Sequence, residues 1–373
     1  MDKNFLNNTI VFWQNMISPH QAAYINALSE TNQFYKIIYS VDQGLSIDRV
    51  EMGLEMPYLN PNIEVVYAAN EEKISTLLSI EHSIHIFEGI KGYKTGWTII
   101  QKALNLNCMV GVMSESIDLR GYRFILRHMA SILIERRYIK KINFFLCISS
   151  RASRWYSFCG APDHKLFQFT YVVEPKRNDV LCTSSIFRII FVGSLIKRKG
   201  VDILLSALNM CKNHNWELFI VGNGPEEEFL MRLSLQFNIE KRIKFMKYLP
   251  NEQVVQTMQT ADLLVLPSRY DGWGAVVNEA LMVGTPVVCS TSCGASDLIN
   301  NSSVGDVFKS GNHQDLSKIL QTRIQRGKQS AEARAALRRW SCCIDGRSIA
   351  LYLIEIIRSV SESTIRPIAP WKI

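Results

Sequence analysis

Asp262–Ile299, DLLVLPSRYDGWGAVVNEALMVGTPVVCSTSCGASDLI, reads as strand, loop, helix and strand. Asp262–Leu266 is a short apolar run of buried-strand type, Pro267–Gly274 a loop, and Ala275–Val283 a helix stopped by Gly284 and Pro286, with a second strand over Thr285–Cys289. Parallel strands joined in this way place the loop at the carboxyl edge of the sheet, where ligands bind. Gly272 and Gly274 flank the helix start, so the backbone can approach a ligand closely, and the free N–H groups of a first turn favour phosphate. Asp271 lies in the loop and Glu279 about two turns into the helix, where a carboxylate can accept bonds from ribose hydroxyls. The unit therefore suits a nucleoside diphosphate with a polyol at either end. From the spacing alone, an ordinary α/β unit carrying a solvated acidic pair is the competing reading.

Working outward, the chain has 373 residues, 47% of them hydrophobic and 20% charged, which predicts two globular domains rather than one core or a disordered chain. No apolar run approaches the ~20 residues that span a bilayer. The opening MDKNFLNNTIVFWQNM lacks the basic start and cleavage site of a signal peptide. Nine cysteines, scattered without metal-ligand spacing, read as reduced thiols of a cytoplasmic protein without zinc. The net charge of +8 is uneven: between Arg120 and Lys141, Arg120, Arg123, Arg127, Arg136, Arg137, Lys140 and Lys141 face Glu135 alone. If that stretch is one helix, Arg120, Arg123, Arg127, Arg137 and Lys141 share a face of about 100°. Ile125, Met129, Ile132 and Leu133 fall elsewhere and are expected to pack on the domain. A solvated face is the bland reading; contact with an anionic membrane surface is the functional one.

In the first half, Thr9–Trp13 reads as a strand, and Ser18 with Pro19 opens a helix through Leu28 that places His20 and Gln21 in its first turn, above the sheet edge. Further strands are expected at Phe34–Ser40, Ile63–Tyr67, Ile84–Phe87 and Met109–Met113, with Phe144–Ser149 as the last of this half and Glu71–Leu78 as a helix. Glu88 and Glu115 fall just past two strand ends, a placement that suits sugar hydroxyls or plain solvent. Glu174–Thr183, polar and containing Pro175, is the expected linker.

The second half opens with RIIFVGSLIKRKGVDILLSAL: a strand at Arg188–Val192, a basic loop bounded by Gly193 and Gly200, and a helix at Val201–Asn209. Lys197, Arg198 and Lys199 are thereby brought within reach of a phosphate at the sheet edge. ELFIVGNGPEEEFL then ends a strand in Gly222, Asn223 and Gly224, a weak signal by itself. A strand at Gly305–Phe308 and three helical stretches follow, the last over Ile349–Ile357.

These motifs, in this order, resemble the family-4 retaining glycosyltransferases. PSRYDGWGAVVNEALMVGTPVV is similar to their E-x7-E segment, with Asp271 at the first acidic position and Glu279 at the second. Lys199 and Gly200 match the family's G-R-x4-K-G pattern while Ser194 replaces its arginine, and FFLCISSRASRWYSFCGAP resembles the family's strand, serine and G-x-P turn. The resemblance implies a GT-B architecture: two Rossmann-like, doubly wound domains facing across a cleft. It divides the chain into 1–176 on the acceptor side, 184–348 holding the donor, and 349–373 crossing back to the first domain.

A nucleotide sugar, UDP- or GDP-linked, is implied as donor. Gly193, Arg198, Lys199, Gly222, Asn223, Gly224, Lys247, Tyr248, Gly272, Trp273, Gly274, Ala275 and Glu279 would hold it. Asp271, Lys199 and His20 would serve catalysis, and His20, Gln21, Glu88 and Glu115 would line the acceptor side. Without a D-x-D motif, neither a cofactor nor an obligatory metal is implied, and no nucleic-acid partner. The acceptor would be a glycan or lipid-linked hydroxyl of bacterial surface-polysaccharide synthesis, met at the inner face of the cytoplasmic membrane. A nucleotide-sugar 2-epimerase and a catalytically silent nucleotide-binding subunit are the rival readings.

Overall fold

In the computed structural model, which describes residues 8–44, 56–106, 108–115, 129, 131–175, 185–247 and 249–373, the chain divides into two units. One comprises Met1–Val173 with Ile344–Ile373, the other Glu174–Cys343. Each is built on its own all-parallel sheet.

The first unit contributes β1 (Thr9–Met16), β2 (Lys36–Gln43), β3 (Ile63–Tyr67), β4 (Ser83–Glu88), β5 (Met109–Glu115), β6 (Phe144–Ile148) and β7 (Leu166–Phe169), ordered β3-β2-β1-β4-β5-β6-β7. The central strand β1 has no solvent face, and Ile10, Val11, Phe12 and Trp13 are all buried, which is why it reads as an unbroken apolar run rather than an alternating one. Trp13 stacks on Phe87 and donates its indole N–H to Nδ1 of His85 at 3.1 Å. The other ring nitrogen of His85 lies 2.9 Å from Ser83 Oγ, and burial pushes this histidine down to about 4, so it is a neutral, satisfied core residue.

The second unit contributes β8 (Phe187–Val192), β9 (Trp216–Val221), β10 (Ile243–Met246), β11 (Leu263–Leu266), β12 (Val287–Ser290) and β13 (Gly305–Phe308), ordered β10-β9-β8-β11-β12-β13. In both sheets the strand order reverses beside the first strand, between β1 and β4 and between β8 and β11. A crevice opens at the carboxyl ends of such a pair.

Several expectations need correction. The first helix spans Ala22–Glu30, not Pro19 onward; Pro19–Gln21 form a turn closed by the Gln21 and Ala22 N–H groups on the Ser18 carbonyl. Phe144–Ile148 is not the last strand of its half, because the four-residue β7 pairs with it in parallel. The long C-terminal helix begins at Gly346, where the Asp345 carboxylate accepts the Ser348 N–H at 2.7 Å. It packs on the helix Ala22–Glu30 within the first unit, burying Ile349, Leu353, Ile356 and Ile357.

The basic stretch also departs from the helical wheel. Arg120, Arg123 and Arg127 lie outside the described residues, as does much of the expected linker. Ser131–Glu135 form a π-helical turn that runs into a short α-helix, Arg136–Ile139. Its wider turn breaks the 100° period on which the wheel was drawn. Ile132 packs against the core, but Met129 is 53% and Leu133 72% exposed, so those two do not pack on the domain as expected. No helix among the described residues is long and apolar enough to cross a membrane.

Removing the cap of the long helix, Asp345→Ala, should cost about 1 kcal/mol. A urea-unfolding midpoint equal to that of the wild type would show that the cap does not anchor the helix.

Candidate active site

At the switch point of the second sheet, the loop after β8 and the loop after β11 meet. The first runs through a single 3-10 turn at Lys197–Lys199 into Gly200, whose left-handed backbone (φ 69°) starts the helix Val201–Asn209. A Cβ on Gly200 would come within 2.3 Å of the Pro267 carbonyl oxygen, so only glycine lets the two loops approach this closely.

Charged side chains then join the loops. Lys199 Nζ donates to Asp271 Oδ2 at 2.6 Å, Ser268 Oγ donates to the same oxygen at 3.3 Å, and Arg198 lies 3.7 Å from Oδ1. Arg198 also donates to the Tyr270 carbonyl at 2.9 Å. Arg269 grips Asp202 with both guanidinium nitrogens, at 2.7 and 2.6 Å, and donates to the Lys197 carbonyl. Lys199 and Asp271 are both largely shielded from solvent, at 16% and 11% side-chain exposure, where a lone charge would be costly. The Asp271 backbone is held as well, donating to the Ser292 carbonyl and accepting from Gly294 N–H.

The other residues expected to hold a donor are placed as follows. Gly193 follows β8, and a Cβ on Gly222 (φ 136°) would fall 2.1 Å from its carbonyl oxygen. The G-N-G turn is therefore required by loop packing whether or not a ligand sits there. The Asn223 carbonyl accepts Leu195 N–H at 2.7 Å, and Gly224 lies against the Leu195 carbonyl. Gly272 packs under Gly294, and Gly274 lies against Leu266 and Cys293. Trp273 is buried, its indole donating to Asn278 at 2.8 Å, so it shapes the loop from inside. Ala275 precedes the helix Val276–Met282, which is shorter than expected. Lys247 is exposed just after β10, and Tyr248 lies outside the described residues. Glu279 is half-buried on the helix and its carboxyl has no hydrogen bond or ion pair among the described residues; burial raises that carboxyl to about 7.

In the first unit, Glu88 Oε2 accepts the Asn15 N–H at 3.2 Å across the β1–β4 switch point. Tyr171, two residues beyond β7, bonds to Glu115 and stacks on the half-buried His20 ring at 5.5 Å. Burial and the neighbouring Glu115 hold its phenol well above the usual range. His20, Glu88 and Glu115 thus share one sheet edge. Gln21 does not join them: it is buried and exchanges amide hydrogen bonds with Gln14, both at 3.2 Å, while accepting from Tyr24. Arg137 and Lys141 lie elsewhere on this unit, exposed, with the Arg137 guanidinium over the Tyr138 ring.

Sequence reasoning missed Arg269 and Asp202, 67 residues apart, because nothing local marks them as partners. It missed Tyr171 because β7 was not recognised.

Residues 176–340 match the family Glycosyl transferases group 1. An uncharacterized glycosyltransferase of Methanocaldococcus jannaschii is 32% identical over 114 residues, 30% of this chain and 29% of that protein. The O-antigen biosynthesis glycosyltransferase WclY of Escherichia coli is 28% identical over 38% of this chain and 43% of its own. The chain thus spans under half the length of these curated relatives. Among solved structures, Anabaena HepE in complex with UDP aligns at a TM-score of 0.70 and 16% identity, covering 94% of this chain and 100% of that one. The match to that family lies within the second unit, and the fold is GT-B, with two Rossmann-like domains.

The raised Glu279 carboxyl has a consequence for stability. The folded state keeps this proton up to about pH 7, whereas the unfolded chain loses it near 4.5. The contribution is therefore full below pH 4.5 and is lost as pH rises toward 7. Glu279→Gln should gain about 1–3 kcal/mol relative to wild type between pH 4.5 and 8. A difference independent of pH in urea titrations would mean that the carboxyl titrates normally.

Proposed function

We propose that this chain is a retaining glycosyltransferase that moves a sugar from a nucleoside-diphosphate donor to a hydroxyl of a glycan or lipid-linked acceptor in bacterial surface-polysaccharide synthesis. The observation that carries the reading is the Lys199–Asp271 pair at the switch point of the segment that matches the group 1 family, with the Glu279 carboxyl, unpaired among the described residues, on the following helix. An ammonium has three N–H donors and Asp271 takes one, so Lys199 retains donors for a phosphate oxygen while held in place. Charge grows on the diphosphate as the glycosidic bond lengthens, and a fixed cation there lowers that barrier most in the transition state. Asp271, anchored by its backbone and by Ser268, orients the sugar, whose oxocarbenium-like centre meets the acceptor on the face the phosphate leaves. Glu279, whose carboxyl has no partner among the described residues, accepts the ribose hydroxyls. On the first unit, His20, Glu88 and Glu115 offer polar groups for the acceptor. The O-antigen role in the name of WclY supports a surface-polysaccharide acceptor, and the bound UDP in HepE supports a nucleotide donor.

Incubation with UDP- and GDP-sugars should release nucleotide only when a lipid-linked or glycan acceptor is added. Lys199→Ala should lower turnover about 10²–10³-fold while leaving nucleoside affinity much less affected. Release without acceptor alongside an altered sugar would replace transfer by epimerisation, and no release with any donor would leave a binding subunit.

The same proposal includes peripheral attachment to a membrane. Met129, Leu133 and Ile134 are exposed beside Arg136, Arg137, Lys140 and Lys141, a combination that inserts apolar side chains while cations meet anionic headgroups at about 1 kcal/mol each. Co-sedimentation with phosphatidylglycerol vesicles should fall with salt and on Leu133→Ser or Arg137→Gln. Equal sedimentation with neutral vesicles, or none with either, would make the patch ordinary surface.

A further inference from the structure

Away from both switch points, the first unit holds a cavity of about 560 Å³, within the size range of small-molecule sites. Its walls come from the helix Ser150–Phe158, the edge strand β7, Tyr352 of the long C-terminal helix, and the segment from Arg366 to Lys372. Three cations line it, Arg154, Arg366 and Lys372, against one carboxylate, Asp163. None of the three forms an ion pair with a carboxylate among the described residues, and Asp163 accepts the Ser157 hydroxyl at 3.2 Å. Arg366 is exposed but tethered to the wall: it donates to the Leu166 carbonyl of β7, and its guanidinium lies 5.2 Å from the centre of the Phe167 ring. A fork with five N–H donors keeps the rest for a ligand. Leu166, Tyr352, Pro367 and Ile368 supply an apolar side to the same cavity.

We propose that this cavity is an anion site for a phosphate ester, in which Arg154, Arg366 and Lys372 hold the phosphate and Tyr352, Pro367 and Ile368 receive an apolar neighbouring group. Unpaired cations converging on a concave surface raise the local anion concentration, and guanidinium groups match phosphate oxygens in pairs. Loop packing does not explain the charge, since among the described residues only the Arg366 side chain of the three makes a structural bond. The site is independent of the transfer reaction, because its residues belong to neither switch point. The phosphate can come from a soluble ester or from a lipid headgroup.

The test uses the full chain, with sn-glycerol 3-phosphate titrated calorimetrically and phosphatidylglycerol vesicles sedimented in parallel. Arg154 and Lys372 are exposed, so Arg154→Gln and Lys372→Gln should leave the melting temperature unchanged. Each should weaken the soluble ester about tenfold, whereas Lys199→Ala, which alters the other phosphate-binding candidate, should not. Loss of the ester alone assigns a soluble ligand, and loss of vesicle binding as well assigns a headgroup; both support the site. Ester affinity unchanged in both variants, or lost only in Lys199→Ala, overturns it.

Discussion

The contact between Lys199 and Asp271 is the constraint around which the second unit's sheet edge is arranged. The two residues are 72 positions apart, one after β8 and the other after β11, yet both approach a common point because those strands are neighbours. Either charge alone would be held largely away from water, a state that costs several kcal/mol. Their pairing is therefore a condition for both loops to lie where they do. Gly200 removes the side chain that would keep the loops apart, and Arg269 with Asp202 closes a second bridge between the same two segments. The result is a fixed alternation of cations and carboxylates at the one place where a parallel sheet leaves a crevice.

What was legible in the sequence follows from where solvent is absent. Strands buried on both faces, such as Ile10–Trp13 and Leu263–Leu266, announce themselves as short apolar runs, and glycine and proline mark their ends. The edge strand Leu166–Phe169 has four residues and one open side, so its LFQF pattern carries almost no signal. The helix wheel through Arg137 failed for a different reason: a π-turn at Ser131–Glu135 shifts the phase of every later residue, and no composition rule announces such a turn. Candidate residues within one motif can be named from sequence, while Arg269, Asp202 and Tyr171 act through partners that only the folded chain supplies.

The two glycine turns illustrate the limit of motif reading. Gly222 and Gly224 look like a phosphate cradle in sequence, and each is needed where it lies because a carbonyl of the preceding loop occupies the space of a side chain. The turn's own peptide groups are partly spent on that packing, with the Gly222 N–H donated to the Met246 carbonyl and the Asn223 carbonyl taken by Leu195 N–H. Substitution there would therefore report on loop packing before it reported on any ligand.

Asp271 and Glu279 are eight residues apart and chemically almost the same, yet their surroundings differ. Asp271 has a lysine against one oxygen, a serine hydroxyl on the same atom and its backbone tied on both sides, so it is fixed and its charge balanced. Glu279 has no such partner among the described residues, and burial raises its carboxyl to about 7. A carboxylate already balanced by a cation can orient a neutral hydroxyl without moving, whereas an unbalanced one gains most from new hydrogen bonds, because each bond stabilises a charge that burial disfavours. The first environment suits a group that must hold position while charge develops nearby. The second suits a group whose task is to bind, and a diol presenting two donors would draw the proton off Glu279 as it docks.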